Sequence, residues 1–434
     1  MHRYAMKDLI AWKNRRNHKP LIIRGARQVG KTWIMKEFGH VHYDKVAYIN
    51  FDNNERMSSL FQGDFDIRRL ILALQIETGV TIDAHNTLVI FDEVQEVPRA
   101  LTSLKYFNEN APQYSIVAAG SLLGIALHPG TSFPVGKVEF LDLYPMSYNE
   151  FLEATGNKNL VDLLHAKDFS LITAFKDKYI DLLRQYYFVG GMPEAVDFFA
   201  HNNDFAAVRG IQKRLLAAYE QDFSKHAPSE AVPRIRLVWN SIPAQLAKEN
   251  RKFVYGQIRQ GARAREFELA IQWLLDCGLI HKVYRAAKPD LPLAAYQEHS
   301  SFKLFMVDVG LLAAMSGLDL KSLLEGNRIF EEFKGALTEQ YVLQQLFTNS
   351  GIVPYYWTAD RSSAEIDFIF QHNMDIVPVE VKAEENLRAK SLRFYCQKYS
   401  PHNAVRTSMS DFRKEDWLIN VPLYAVGILP ELLE

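Results

Sequence analysis

Cysteine is nearly absent: Cys277 and Cys396 are the only two in 434 residues. Two thiols make neither a disulfide framework nor a short metal-ligand spacing. A reducing, cytoplasmic setting is the simplest expectation. Long apolar runs are missing as well. The longest nearly apolar stretch, Ile116 to Leu127, is too short to cross a bilayer. The opening Met1-His2-Arg3-Tyr4 is charged and has no apolar signal core. A soluble protein with no membrane partner is therefore expected. Nor is there an excess of one charge. Lys and Arg number 50 against 51 Asp and Glu, a formal charge of −1. That excludes a uniformly basic nucleic-acid coat and an acidic disordered tail. What remains is an ordinary globular mixture, 48% hydrophobic and 23% charged. At roughly 150 residues per domain, the length suggests about three domains.

The first third alternates strand and helix. Tyr4 to Asn17 reads as an exposed amphipathic helix ended by Pro20. Leu21-Ile22-Ile23 is a short buried strand, followed by a Gly-bounded loop and a helix from Lys31 to about Phe38. Further strands are expected at Val46–Phe51, Leu88–Phe91, Tyr114–Ala119 and Val138–Leu143. This alternation predicts an α/β fold with a mostly parallel sheet covered on both faces. After Tyr144-Pro145 the pattern turns helical, to about Phe199, and helices are expected to continue to Lys288. The last part is mixed. It has a long helix from Glu331 to Thr348 and strands near Val353–Trp357, Ile366–Phe370 and Val377–Val381.

Gly25-Ala26-Arg27-Gln28-Val29-Gly30-Lys31-Thr32 matches the eight-position phosphate loop. The glycines let the backbone curl so that N–H groups face phosphate oxygens, and the following helix adds its positive end. Lys31 is expected on the β- and γ-phosphates of ATP, and the Thr32 hydroxyl on Mg²⁺. The bland alternative is a Gly-rich turn before a helix. Leu88-Val89-Ile90-Phe91-Asp92-Glu93 supplies the second half. Its carboxylates stand at the C-terminal end of a strand, where ligands bind in open α/β sheets. Asp92 is expected to hold Mg²⁺, and Glu93 to orient and deprotonate the attacking water. Two solvated acids ending a strand are the competing reading. Ser121, after the strand ending Ala118-Ala119-Gly120, is a candidate γ-phosphate sensor or simply the start of a turn.

Together these residues resemble the AAA+ ATPases. The similarity is closest to a prokaryotic AAA-type family with a C-terminal domain of unknown function. Arg24 to Thr32 resembles its phosphate loop and Phe91-Asp92-Glu93-Val94-Gln95 its acidic strand. Ala119-Gly120-Ser121 resembles its first sensor, and Leu143-Tyr144-Pro145-Met146-Ser147 the junction that follows. Gly190-Gly191-Met192-Pro193-Glu194 and Val307-Asp308-Val309-Gly310-Leu311 resemble later family segments. The resemblance implies a five-stranded parallel sheet, a helical lid, and ATP hydrolysis at subunit interfaces of a homo-oligomer with an arginine supplied in trans. Gly136-Lys137 stands where family members often carry Gly-Arg, and lysine cannot provide the same bidentate fork. The expected division is an ATPase core over 1–146, a lid over 147–204, a winged-helix-like basic region over 205–300 and a nuclease-like domain over 301–434.

From Phe205 to Lys288 there are 15 Lys and Arg against 7 Asp and Glu, a local excess of 15 − 7 = +8. Ala262 to Tyr284 resembles the last helix and wing entry of a winged helix-turn-helix. Lys252, Arg259, Arg263 and Arg265 are then candidates for DNA contact. A solvated basic face or a protein-contacting lid is the alternative.

Glu339 lies on the long late helix, Asp367 in a strand, and Glu380-Val381-Lys382 closes the next strand. Strand alternation puts Glu380 and Lys382 on one face. The set resembles the PD-(D/E)xK nuclease fold, in which Glu339, Asp367 and Glu380 would converge on Mg²⁺ and Lys382 would stabilise developing charge. A surface Glu–Lys pair is the bland reading. Two functions remain open. One is an ATPase that couples turnover to DNA binding or to cleavage by this domain. The other is a regulatory ATPase switch whose C-terminal domain binds a protein or nucleic acid without cutting.

Overall fold

The computed structural model describes residues 1–120, 134–248, 251–319, 328–360, 363–385 and 389–433. They divide into two compact units: residues 2–144 with 276–278, and residues 145–275 with 279–434.

The first unit begins with α1 (Ala5–Asn14), which buries Leu9 and Trp12. Its sheet contains β1 (Leu21–Arg24), β2 (Lys45–Asn50), β3 (Thr87–Asp92), β4 (Ser115–Ala119) and β5 (Glu139–Asp142), in the order β2-β3-β4-β1-β5. All four neighbouring pairs are parallel. The helices α2 (Lys31–His42), α3 (Glu55–Gln62), α4 (Ile67–Thr78) and α5 (Pro98–Asn110) supply the crossovers. Every residue of β3 and β4 is buried. That explains their unbroken apolar sequence, since a central parallel strand is covered on both faces. On one face Phe51, Phe61 and Phe91 meet edge to face, with centroids 5.3 to 5.9 Å apart. Asp66 caps α4 by accepting from the N–H groups of Arg68 and Arg69.

The second unit opens with seven helices: α6 (Tyr148–Ala154), α7 (Lys158–Ala166), α8 (Phe169–Ala174), α9 (Lys176–Val189), α10 (Pro193–Asn202), α11 (Phe205–His226) and α12 (Val232–Leu246). Ser147 and Glu150 form a reciprocal capping box at the start of α6. Next come α13 (Ala264–Asp276) and the antiparallel pair β6 (Ile280–Ala286) and β7 (Gln297–Met306). The expectation of helix through Lys288 is corrected here, because the chain is already in β6 from Ile280. The remainder is α14 (Val309–Met315), α15 (Arg328–Ser350), β8 (Tyr355–Thr358), β9 (Glu365–His372), β10 (Asp375–Val381), α16 (Lys390–Tyr399), β11 (Val405–Ser408), β12 (Arg413–Lys414) and β13 (Ile419–Pro422). These strands and the β6–β7 pair make one mixed sheet, ordered β12-β13-β11-β10-β9-β8-β6-β7.

Two motifs that the sequence keeps far apart lock together in this unit. Asp308 is fully buried; its Oδ2 accepts from Gly191 N at 2.6 Å and its Oδ1 from Leu311 N at 2.9 Å. A Cβ at Gly190 would lie 2.2 Å from Asp308 Oδ1, so only glycine leaves room for the carboxylate. Among the described residues, no helix is long and apolar enough to cross a membrane.

Candidate functional site

The loop Gly25–Gly30 joins β1 to α2 at the C-terminal edge of the parallel sheet. Its curl is left-handed at three points: Gly25 at φ +147°, Gln28 at +65° and Gly30 at +94°. A Cβ on Gly25 would lie 2.1 Å from Leu143 O, so the loop base admits no side chain. Ala26 and Val29 are buried, while Arg27 is half-exposed and Gln28 exposed. Arg3 holds the loop from behind, donating to Val29 O at 2.9 Å and Tyr144 O at 2.6 Å. The sequence gives no signal for that role.

Lys31 is buried and donates to Gly25 O at 2.9 Å and Ala26 O at 2.8 Å. Burial pushes its ammonium down to about 8, although Glu93 and Asp92 pull the other way. Thr32 Oγ1 donates to Asp92 Oδ2 at 2.7 Å. Tyr48 on β2 donates to the same oxygen at 2.9 Å, and burial together with the Asp92 charge raises its phenol well above the ordinary range. Glu93 N donates to Asp92 Oδ1 at 3.1 Å. Glu93 itself turns left-handed at φ +51° and accepts from Gln95 Nε2 at 2.7 Å. Asp92, only 4% exposed, therefore has neutral hydroxyl donors on one oxygen. Ser121, expected as a sensor, lies outside the described residues. Lys137, at the position expected for an arginine, pairs with Glu109 at 2.9 Å.

In the second unit, Lys252, Arg259, Arg263 and Arg265 are all exposed, just before or at the start of α13. Arg259 donates to Glu266 at 2.8 Å.

The Asp367 charge acts on Glu339, Glu365 and Glu380; Glu380 has the lysine that the sequence suggested, while Glu339 has partners that it did not. Glu339 on α15 pairs with Arg251 through Oε1 and lies 3.7 Å from Lys303 Nζ through Oε2. Lys303 on β7, fully buried, also pairs with Glu365 at 2.6 Å. Asp367 Oδ2 accepts from Val381 N at 2.7 Å, and Glu380 Oε1 pairs with Lys382 Nζ at 2.7 Å. Burial raises the Glu339 and Glu380 carboxyls, against the pull of Arg251 and Lys382. Among the described residues, no group of three or more His, Cys, Asp or Glu is placed to hold a metal ion.

Residues 17–152 match the model of an AAA domain. This region is similar to that family over about a third of the chain. Its phosphate loop, acidic strand end and parallel sheet are those described above. Residues 180–322 and 334–425 match two domain families of unknown function, DUF8612 and DUF4143. The second contains Glu339, Asp367, Glu380 and Lys382, and its description assigns no activity. A comparison with curated proteins gives no match. Among solved structures, a Walker-type ATPase of Pyrococcus abyssi is 14% identical with a TM-score of 0.44, covering 71% of this chain and 94% of its own. The Aeropyrum pernix ORC1 protein in complex with DNA is 14% identical at 0.28, covering 73% and 93%. Cdc6p of Pyrobaculum aerophilum is 12% identical at 0.24, covering 74% and 92%. At such scores these likenesses carry no functional argument.

Sequence reading missed Arg3, Tyr48 and Gln95 around the ATPase site, and Arg251 and Lys303 around the C-terminal carboxylates. Only Gln95 had a local signal, lying two residues after Glu93 in the segment already noted.

Proposed function

We propose that the chain is an ATP-driven switch that couples nucleotide turnover to DNA engagement and does not itself cut the DNA. The contact of Thr32 with Asp92 at 2.7 Å carries the ATPase half of this reading. It brings a hydroxyl and a carboxylate from sites 60 residues apart to one point beside the phosphate loop. That pair fits a hydrated Mg²⁺, because hard oxygen ligands suit the ion and neutral donors leave the Asp92 charge available to it. When bound, Mg²⁺ neutralises charge on the β- and γ-phosphates. Lys31, released from its two loop carbonyls, holds the γ-phosphate. Glu93 takes a proton from the attacking water as the bond between the γ-phosphorus and the bridging oxygen breaks. Gln95 sets the rotamer from which Glu93 reaches that water. By the family resemblance, turnover takes place in an assembly of copies of the chain.

The DNA half is supported by exposure. Lys252, Arg259, Arg263 and Arg265 are all exposed within residues 252–265, which lead into α13, and the antiparallel pair β6–β7 follows that helix. Phosphate contacts by such residues position a helix in a groove. The cations that pair with the C-terminal carboxylates, Arg251, Lys303 and Lys382, favour binding over cleavage.

The test is phosphate release from ATP with and without duplex or single-stranded DNA. DNA is expected to raise the rate in wild type. Replacing Arg259, Arg263 and Arg265 by Ala is expected to remove that rise and leave the basal rate. A basal rate that DNA does not change would refute the coupling.

A further inference from the structure

Glu339, Asp367 and Glu380 match a divalent-ion site in residue type but not in partnership. Counting Glu365, four carboxylates gather here, with the Asp367 charge acting on each of the other three; Arg251 pairs with Glu339, Lys303 with Glu339 and Glu365, and Lys382 with Glu380. We infer that Arg251 and Lys303 take the place of a metal ion in this cluster. The nuclease-like carboxylates then form a closed ionic joint that binds no divalent cation.

Several independent features build the joint. Lys303 is 0% exposed; its ammonium lies 2.6 Å from Glu365 and 3.7 Å from Glu339 Oε2, a buried oxygen with no hydrogen-bond donor, so the two are held by charge rather than by a hydrogen bond. A second cation of charge two beside it would add repulsion in a setting with little water to screen it. Arg251 is 18% exposed, and its guanidinium lies against Glu339, which is 2% exposed. A slot on α15 accommodates it: a Cβ at Gly335, one helical turn before Glu339, would sit 2.6 Å from Arg251 Nη2. The backbone next to Arg251 is anchored as well. Phe253 N donates to Phe302 O at 2.9 Å, and the two rings stack with centroids 5.4 Å apart. Phe302 immediately precedes Lys303 on β7, so Arg251 and Lys303 arrive at the carboxylates from a single fastened corner. Breaking a buried pair by removing one partner leaves an uncompensated charge, so the joint resists any ion that must first displace Arg251.

This inference deepens the reading that the chain does not cut DNA and is separate from its ATP half. The test is nucleotide-free Mn²⁺ titration of the full chain, followed by the loss of the free-ion electron paramagnetic resonance signal, with urea unfolding run in parallel. Wild type is expected to show no submillimolar site that Asp367→Asn or Glu380→Gln removes. Arg251→Ser is expected to lower the urea midpoint and to gain an Mn²⁺ site that a further Asp367→Asn abolishes. Gly335→Ala pushes Arg251 aside without touching a carboxylate and should do the same more weakly. Arg251→Lys keeps the charge and should gain no ion. If Arg251→Ser does not fold, Gly335→Ala and Arg251→Lys give the comparison. An Mn²⁺ site in wild type that depends on Asp367 or Glu380 would overturn the inference. So would an Arg251→Ser protein with an unchanged urea midpoint and no new site.

Discussion

Asp92 and Glu339 are both buried carboxylates expected on Mg²⁺, yet they are satisfied in opposite ways. Asp92 accepts from two neutral hydroxyls, Thr32 and Tyr48. Glu339 faces a guanidinium and an ammonium. Neutral donors satisfy lone pairs and leave the charge for a ligand. Cations consume it. Partners therefore decide which acidic cluster is open, even where residue types and strand positions look alike.

Five changes would break or sharpen that contrast. The largest effect belongs to the open site. Lys31→Ala should cost on the order of 10²- to 10³-fold in ATP turnover through the lost charge on the γ-phosphate. Glu93→Gln should cost about as much as a general base contributes, roughly 10²- to 10⁴-fold, while nucleotide binding persists. Steady-state phosphate release and equilibrium nucleotide binding read the two apart. At the closed site the main effect is on stability. Arg251→Ala should destabilise by about 3–5 kcal/mol, the range for stripping one partner from a buried pair, measured by urea unfolding, with ATP turnover per folded chain unchanged.

Tyr48→Phe is smaller. It removes one of the two donors that fix Asp92 Oδ2, so the Mg²⁺ concentration for half-maximal turnover should rise, by about tenfold if the bond is worth ~1.5 kcal/mol. The smallest effect is a pH dependence. The Lys31 ammonium is pushed down to about 8 from 10.5, so its charge is lost as pH rises through 8. The profile of kcat/KM for ATP should fall above about 8, and Lys31→Arg should remove that break. For stability the sign is reversed. Burial disfavours charged Lys31, so its contribution improves between about 8 and 10.5.

The open site was largely legible because its chemistry is local. Eight consecutive residues build the phosphate cradle, and Asp92-Glu93 ends a wholly apolar strand. Tyr48 was not legible, because its reach to Asp92 depends on β2 lying beside β3. At the closed site, the order Glu339, Asp367, Glu380, Lys382 could be read. Arg251 could not, since it stands 88 residues before the glutamate it meets. The strand β6 was misread as helix for a physical reason: its buried positions fall at Ile280, Val283 and Ala286, a spacing of three. That strand carries a register shift between Tyr284 and Arg285, and it is flanked by β7 and β8. Simple alternation is lost, and periodicity misleads.

One assay tests the central claim most directly. Wild type, Lys31→Ala and Lys382→Ala are incubated with plasmid, ATP and Mg²⁺ or Mn²⁺, and phosphate release and plasmid integrity are read from the same tubes. The expected result is phosphate release by wild type and Lys382→Ala, none by Lys31→Ala, and intact plasmid in every tube. Plasmid cut by wild type but left whole by Lys382→Ala would show that the C-terminal carboxylates are open after all.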